Sequence, residues 1–260
     1  MMRTEKMRRR SLLTRLAAGV AALPLAGCDR LSQTEWFTRL LGSAESVDEA
    51  VQGTIAGRWA MAPEFTEADL SPQFKSNGTQ NPQDPAYQQL AQNGFADWRL
   101  AVTGLVEHPA SLSLSDLRAL PSRTQITRHD CVEGWSCIGK WKGARLSSLL
   151  DQVKPKPEAK YLVFYCADVM EQSLEGEVKY YESMGLADAY HPQTILAYEM
   201  NDTVLPIPYG APLRLRNERQ LGYKMAKYIM RIDLVDNFAS VAGGKGGYWE
   251  DRGYAWYGGI

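Results

Sequence analysis

The chain has 260 residues, 45% of them hydrophobic and 10% aromatic, which is enough for one large buried core or two small ones. Its formal charge is −1, and residues 1–27 carry six basic residues against one acid, so the remainder stands at −6. That mildly acidic body offers no basic footprint for nucleic acid and speaks against such a partner.

The N-terminus reads as an export signal. "MMRTEKMRRRSLLTRLAAGVAALPLAGC" has a basic start, a short apolar run and a small-residue exit. Its apolar stretch, residues 20–26, is too short to span a bilayer. Arg9-Arg10-Ser11-Leu12-Leu13 fits the twin-arginine pattern, the route of folded cofactor carriers into the periplasm. Leu25-Ala26-Gly27-Cys28 looks like a lipobox, which would make Cys28 a lipid anchor at the inner membrane. The alternative is a plain signal cleaved nearby.

Residues 32–58 are expected to form a leader helix, because Phe37, Leu40, Ala44, Val47 and Val51 recur at helical spacing. Residues 63–94 turn to Pro, Gln, Asn, Ser and Gly and read as ordered loop. The compact body begins near Trp98. "WRLAVTGLV", "RTQITRHDC", "KYLVFYC", "PLRLR" and "YIMRIDLV" suggest strands, while "SLSDLRAL" and "ARLSSLLDQV" suggest short helices. This mixture lacks βαβ regularity and a glycine-rich phosphate fingerprint, so the expected class is α+β. The division is a signal over 1–27, leader helix and loop over 28–97, a core over 98–240 and a Gly/aromatic tail over 241–260. The tail is expected to lie extended over the surface.

The chemistry concentrates in "RHDCVEGWSC", residues 128–137. If the strand runs on through Glu133, alternation puts His129, Cys131 and Glu133 on one face at the mouth of a loop. Four readings are open for Cys131. A disulfide to Cys137 suits an oxidising compartment, but twin-arginine export implies folding in a reducing one. Zinc wants compact ligand pairs that are missing. A Cys131–His129 nucleophile pair rests on spacing alone. A soft metal needs only one thiolate if a cofactor supplies the rest. Downstream, "YGAPLRLRNERQLGYKMAKYIMRI" gathers Arg214, Arg216, Arg219, Lys224 and Lys227, which could hold a cofactor phosphate or could form a solvated basic face.

These two blocks, in this order, resemble those of the sulfite-oxidase-fold molybdopterin enzymes, most nearly the branch of the periplasmic methionine-sulfoxide reductase catalytic subunits. The resemblance runs from about Phe74 to Val235. It implies an α+β fold: a single sulfite-oxidase-type molybdopterin-binding domain with mixed sheets and short helices, here preceded by an N-terminal helix. It implies one molybdenum held by a pyranopterin-dithiolene without an attached nucleotide, with Cys131 as the protein's ligand. Phe74, Asn77 and Gly78 match a pterin-contacting loop. His129, Asp168, Tyr209 and Arg214 match further contacts, and Lys224, Met225, Ala226 and Lys227 a phosphate-side turn. Glu133 stands where the reductase branch has an acid near the metal, and its desolvation would suit it to deliver protons. Tyr181 joins Cys131 and Glu133 as a catalytic candidate, and Tyr181, His129 and His191 are candidates for lining the substrate funnel.

There are departures from the pattern. Tyr209 replaces a His or Asn, and Gly78 replaces a histidine of the sulfite-oxidising branch. That branch also has arginines soon after its cysteine, where this chain reads "VEGWSC". A glutamate there repels a dianion, so the expected reaction is oxygen-atom transfer from a neutral or zwitterionic S- or N-oxide such as a sulfoxide. Two alternatives are dehydrogenation of sulfite or another sulfur compound, and a cofactor-free binding lipoprotein. With no haem motif of its own, the enzyme would draw electrons from a membrane haem b protein or another electron-transfer partner. It would act as a monomer, lacking the dimerisation domain of sulfite oxidases.

Overall fold

A computed structural model describes residues 59–173 and 176–260. The signal, the Cys28 lipobox and the leader helix lie outside the described residues.

Two sheets carry the fold. The first is built from β1 (Leu100–Gly104), β2 (Ala110–Leu112), β5 (Tyr161–Ser173), β6 (Gly176–Gly185) and β10 (Ile229–Val235), in the order β2-β1-β10-β5-β6. Its β1–β10 pair is parallel and the others antiparallel, so the sheet is mixed. The second has β3 (Ser122–Asp130), β4 (Ser136–Arg145), β7 (Ile195–Met200) and β8 (Thr203–Val204) in sequence order, with β9 (Arg214–Arg216) also pairing β7. Among the described residues four short α-helices accompany them: α1 (Pro85–Gln92), α2 (Leu114–Ala119), α3 (Leu146–Val153) and α4 (Leu186–Ala189). The α+β expectation holds.

Each element has a local cause. Strand β4 alternates buried Cys137, Gly139, Trp141 and Gly143 with more exposed residues, the period-two pattern of a half-buried strand. Ser113 caps α2 by accepting from the Asp116 amide at 3.1 Å, and Asp116 returns the bond to the Ser113 amide at 2.8 Å. Helix α3 buries Leu146, Leu149, Leu150 and Val153 on one face. These side chains join the main core with Trp98, Phe164 and Ile232. Leu149 is fully buried there, so Leu149→Ala should cost about 2–5 kcal/mol.

Two sequence expectations change. The 63–94 stretch contains α1, whose signal is Asp84-Pro85: the Asp84 carboxylate accepts from the Tyr87 amide at 2.8 Å, and proline suits the first helical turn. The tail is not extended. It folds into a turn at Glu250–Arg252, with Tyr248 and Glu250 buried.

Candidate active site

Strand β3 ends at Asp130, and β4 returns antiparallel with His129 opposite Cys137 and Asp130 opposite Ser136. Residues 131–135 are therefore a hairpin loop. It is closed by the Cys131 amide donating to the Trp135 carbonyl and the Gly134 amide donating to the Cys131 carbonyl, both 3.0 Å. Gly134 takes the left-handed conformation, φ 81°, that lets the loop turn. The expected shared face of His129, Cys131 and Glu133 is thus not formed. His129 is fully buried, Cys131 half-buried and Glu133 exposed, because the strand alternation stops one residue before Cys131. Cys131 and Cys137 are both free thiols. Cys137 packs with Phe74 and Trp141 and accepts weakly from the Lys75 amide at 3.4 Å.

Cys131 opens onto a cleft of about 200 Å³. Asn77, Gly78 and Thr79 line it from the early loop, and Asp168 and Met170 from β5. Gly222, Tyr223, Met225 and Lys227 come from the turn before β10, and Trp249 and Tyr254 from the tail. Burial pushes the Cys131 thiol above its ordinary value; neighbouring amides of Glu133 and Val132 and the Lys75 ammonium oppose the shift, while Glu133 adds to it. Among the described residues no three His, Cys, Asp or Glu side chains cluster to hold a metal. A metal on Cys131 would therefore draw its other ligands from a cofactor.

The cleft is underlain by two cations, Lys227 and Arg214, that have no carboxylate ion-pair partner among the described residues. Lys227 is 9% exposed, and its ammonium donates to the carbonyls of Asn77 at 2.7 Å, Thr79 at 2.5 Å and Pro208 at 3.3 Å. Burial, with Arg214 nearby, pulls its pKa down to about 7. Arg214 is 2% exposed; its guanidinium lies 4.8 Å from the Trp141 ring and donates to the Tyr209 carbonyl at 3.0 Å. Burial and then Arg216 lower its pKa to about 9. Arg216, by contrast, is matched by Glu218 through bonds of 2.8 and 2.5 Å. Burial raises Asp168 to about 6.

Beneath the floor lies His129. Arg216, which can only donate, reaches its Nδ1 at 3.0 Å, so the ring proton sits on Nε2. Burial holds its pKa well below the usual value, and the charges of Arg216, Arg214 and Lys227 lower it further. Gly222 covers the ring: a Cβ there would stand 2.5 Å from Cε1 and Nε2. His129 Nε2, Asp168 Oδ1 and Arg214 Nε are buried without a partner among the described residues. Orphaned polar atoms and unneutralised cations beside a thiol suit an anionic, polar cofactor.

Of the residues expected to contact that cofactor, Asn77, Gly78, Cys131, Asp168, Met225 and Lys227 line the cleft. Phe74, His129, Tyr209, Arg214 and Ala226 do not line it; Phe74 and Tyr209 pack edge-on at 5.8 Å, with the Tyr209 hydroxyl on the Phe74 carbonyl at 2.9 Å. Lys224 points elsewhere, held by Glu182 and Glu250 at 2.5 Å each. Tyr181 also leaves the funnel, because alternation along β6 sends Tyr180 to the cleft while the Tyr181 hydroxyl donates to Asp251. His191 binds the Ala60 carbonyl at 3.2 Å and stacks on Trp59, away from the cleft lining. The desolvation expected around Glu133 is absent: its side chain is 63% exposed, 3.7 Å from Lys75, and accepts from Trp135 Nε1 at 2.9 Å. Sequence reading missed Thr79, Met170, Tyr180, Tyr223, Trp249 and Tyr254; alternation around Glu182 could have singled out Tyr180, and nothing local marked the rest.

Comparison with known proteins agrees with this chemistry. The family described as the oxidoreductase molybdopterin binding domain matches residues 87–240. A protein of Azospira oryzae, provisionally named protein-methionine-sulfoxide reductase subunit YedZ1, is 36% identical over 90% of this chain and 81% of its own length. The protein-methionine-sulfoxide reductase catalytic subunits MsrP of Campylobacter jejuni and Ralstonia nicotianae are 33% and 35% identical over 56% and 54% of the chain. The matched regions span 52% and 44% of those two relatives. With a free thiol on a cleft underlain by unmatched cations, and a family match over more than half its length, the chain belongs to the molybdopterin-binding oxidoreductases and is an oxidoreductase that uses molybdenum–molybdopterin.

Proposed function

We propose that the protein reduces sulfoxides, methionine sulfoxide among them, with Cys131 as the molybdenum ligand. The observation that carries the reading is the cleft wall beside Cys131: it is lined by Tyr180, Tyr223, Trp249, Tyr254 and two methionines, includes no arginine, and has Glu133 as the charge next to the thiol. A sulfite dianion would meet Glu133 with no guanidinium in the lining and only the exposed Lys75 ammonium, 3.7 Å from that carboxylate, to offset it, whereas a neutral, polarisable sulfoxide suits an aromatic and thioether wall. The names of the relatives, which describe reductases of methionine sulfoxide in proteins, support the same choice.

When bound, the cofactor supplies two-electron oxygen-atom chemistry. The protein's residues do the rest. Arg214 and Lys227 would balance its negative charge, and Asp168, whose Oδ1 is buried without a partner among the described residues, would accept a hydrogen bond from it. Cys131 gives a soft thiolate, deprotonated on binding, which overcomes the burial that otherwise favours the thiol. Glu133, exposed to solvent yet two residues from the thiol, exchanges protons with bulk water and delivers them to the oxygen leaving the substrate. Electrons come from a separate partner, in keeping with relatives named as catalytic subunits; the signal-like N-terminus supports a periplasmic reaction, and the lipobox-like residues ending at Cys28 support a membrane tether there.

The test is an activity panel on molybdenum-loaded protein with a reduced viologen donor. Methionine sulfoxide and other sulfoxides should turn over faster than N-oxides, and sulfite with an acceptor dye should turn over least. Dominant sulfite oxidation would refute the charge argument at Glu133.

A further inference from the structure

The tail that follows the family-matched region closes one side of the cleft. Residues 250, 251 and 252 are each tied to a different element. The Glu250 carboxylate takes Lys224 Nζ at 2.5 Å, and Lys224 also holds Glu182 at 2.5 Å, all three groups being buried. Burial drives the Glu182 carboxyl well above its usual range and Glu250 adds to the rise, with Lys224 opposing. Asp251 accepts from the Tyr181 hydroxyl and from the amides of Gly243 and Lys245 at 2.9 Å. Arg252 pairs with Glu171 of β5 at 2.6 Å and covers the Tyr248 ring at 3.6 Å. Gly247 permits the close approach: a Cβ there would sit 2.0 Å from Glu250 Oε2 and 2.9 Å from Glu182 Oε1.

This three-point latch fixes what lies on either side of it. Trp249 and Tyr254 stack with centroids 5.2 Å apart and planes 26° from parallel, and both line the cleft. Tyr223 meets Tyr254 edge-on at 5.4 Å, completing an aromatic corner. Tyr254 is 40% exposed and Val132, next to Cys131, 45% exposed, so the corner and the cysteine loop present apolar surface at the same mouth. An apolar face left in water beside a reactive centre is a place for the apolar part of a substrate.

We propose that Trp249 and Tyr254 are specificity-determining residues that grip the organic substituent of the substrate, while Lys224, Glu250, Asp251 and Tyr181 are positioning residues that hold them there. The proposal rests on the sulfoxide reading for the kind of substrate. It predicts a preference for sulfoxides bearing an extended apolar group over those with only methyl groups.

The experiment measures binding of methyl p-tolyl sulfone, an unreduced analogue, to the molybdenum-loaded protein by calorimetry, alongside turnover of methyl p-tolyl sulfoxide and dimethyl sulfoxide. Trp249→Ala and Tyr254→Ala should each weaken sulfone binding about tenfold and raise KM for the tolyl sulfoxide by a similar factor, with a shift under about threefold for dimethyl sulfoxide. Tyr254→Phe, which keeps the ring, should bind the sulfone like the parent. Unchanged sulfone affinity in both alanine variants, no sulfone binding by the parent, or equal KM shifts for the two sulfoxides would overturn the proposal. Sulfone binding that follows the ring variants in a parent that reduces no sulfoxide would leave the aromatic corner standing and remove the sulfoxide reductase reading instead.

Discussion

Lys224 and Lys227 stand three residues apart in "GYKMAK", and both are buried, yet their surroundings are opposite. Lys224 sits between two buried carboxylates and locks the tail to the sheet. Among the described residues Lys227 meets three carbonyl oxygens and the Tyr228 ring at 5.1 Å, and burial disfavours its charge although Asp168 favours it. One cation is paired by the protein's own carboxylates, and the other, on the proposed reading, is kept for a ligand. The difference separates structure from binding within a single turn: a buried charge already matched by the fold holds the fold together, and one left unmatched marks where an anion belongs.

The same substitution at the two positions probes this contrast with the largest effect. Lys224→Met leaves Glu182 and Glu250 facing each other in the interior and should cost about 3–5 kcal/mol of stability, read by denaturant unfolding. Lys227→Met loses hydrogen bonds to three carbonyls but relieves a desolvated charge, so its stability cost should stay under about 2 kcal/mol. Its loss should appear in molybdenum and pterin retained after purification. Equal destabilisation with equal cofactor content would erase the distinction.

The pH dependence of the cofactor-free protein gives the next largest effect. Asp168 has its pKa raised from 3.8 to about 6, so the native state holds a proton that the unfolded state releases, and stability falls as pH rises from about 4 to 6. Lys227 is lowered from 10.5 to about 7, so the unfolded state holds the extra proton and stability climbs again from about pH 7 to 10. Their joint contribution is lowest between pH 6 and 7, by roughly 3 kcal/mol on the Asp168 limb. Subtracting the profile of an Asp168→Asn/Lys227→Met double variant from that of the parent should reveal this minimum; a flat difference would speak against unmatched charges.

The smallest effect lies at the latch. Tyr181→Phe removes the bond to Asp251 and should lower stability by about 1 kcal/mol, with a larger relative rise in KM than fall in kcat for an aryl sulfoxide. A fall in kcat alone would return Tyr181 to the catalytic role expected from sequence.

Much of the fold was legible because its signals are local. The strand containing Leu162, Val163 and Phe164 announces itself as an apolar run, and α3 by its spacing. The metal-ligand candidate and the cation-rich block were legible as motifs. What escaped depends on register and long-range closure. Tyr181 and Tyr180 are indistinguishable until strand phase is known, and one residue of phase moves a side chain to the other face. Lys224 and Lys227 look alike until Glu182 and Glu250 arrive from 42 and 26 residues away in sequence. His129, Cys131 and Glu133 looked like one face because nothing in "RHDCVEGWSC" marks Asp130 as the last strand residue except Gly134, which sits at the turn beyond it.

The central claim is that Cys131, beside unmatched cations, is the protein's ligand to molybdenum. X-ray absorption at the molybdenum edge, on parent and Cys131→Ser protein loaded in a molybdenum-competent host, tests it most directly. The account predicts one sulfur neighbour fewer in the variant, with the pterin still bound by Arg214 and Lys227. An unchanged molybdenum–sulfur shell in the variant would contradict it.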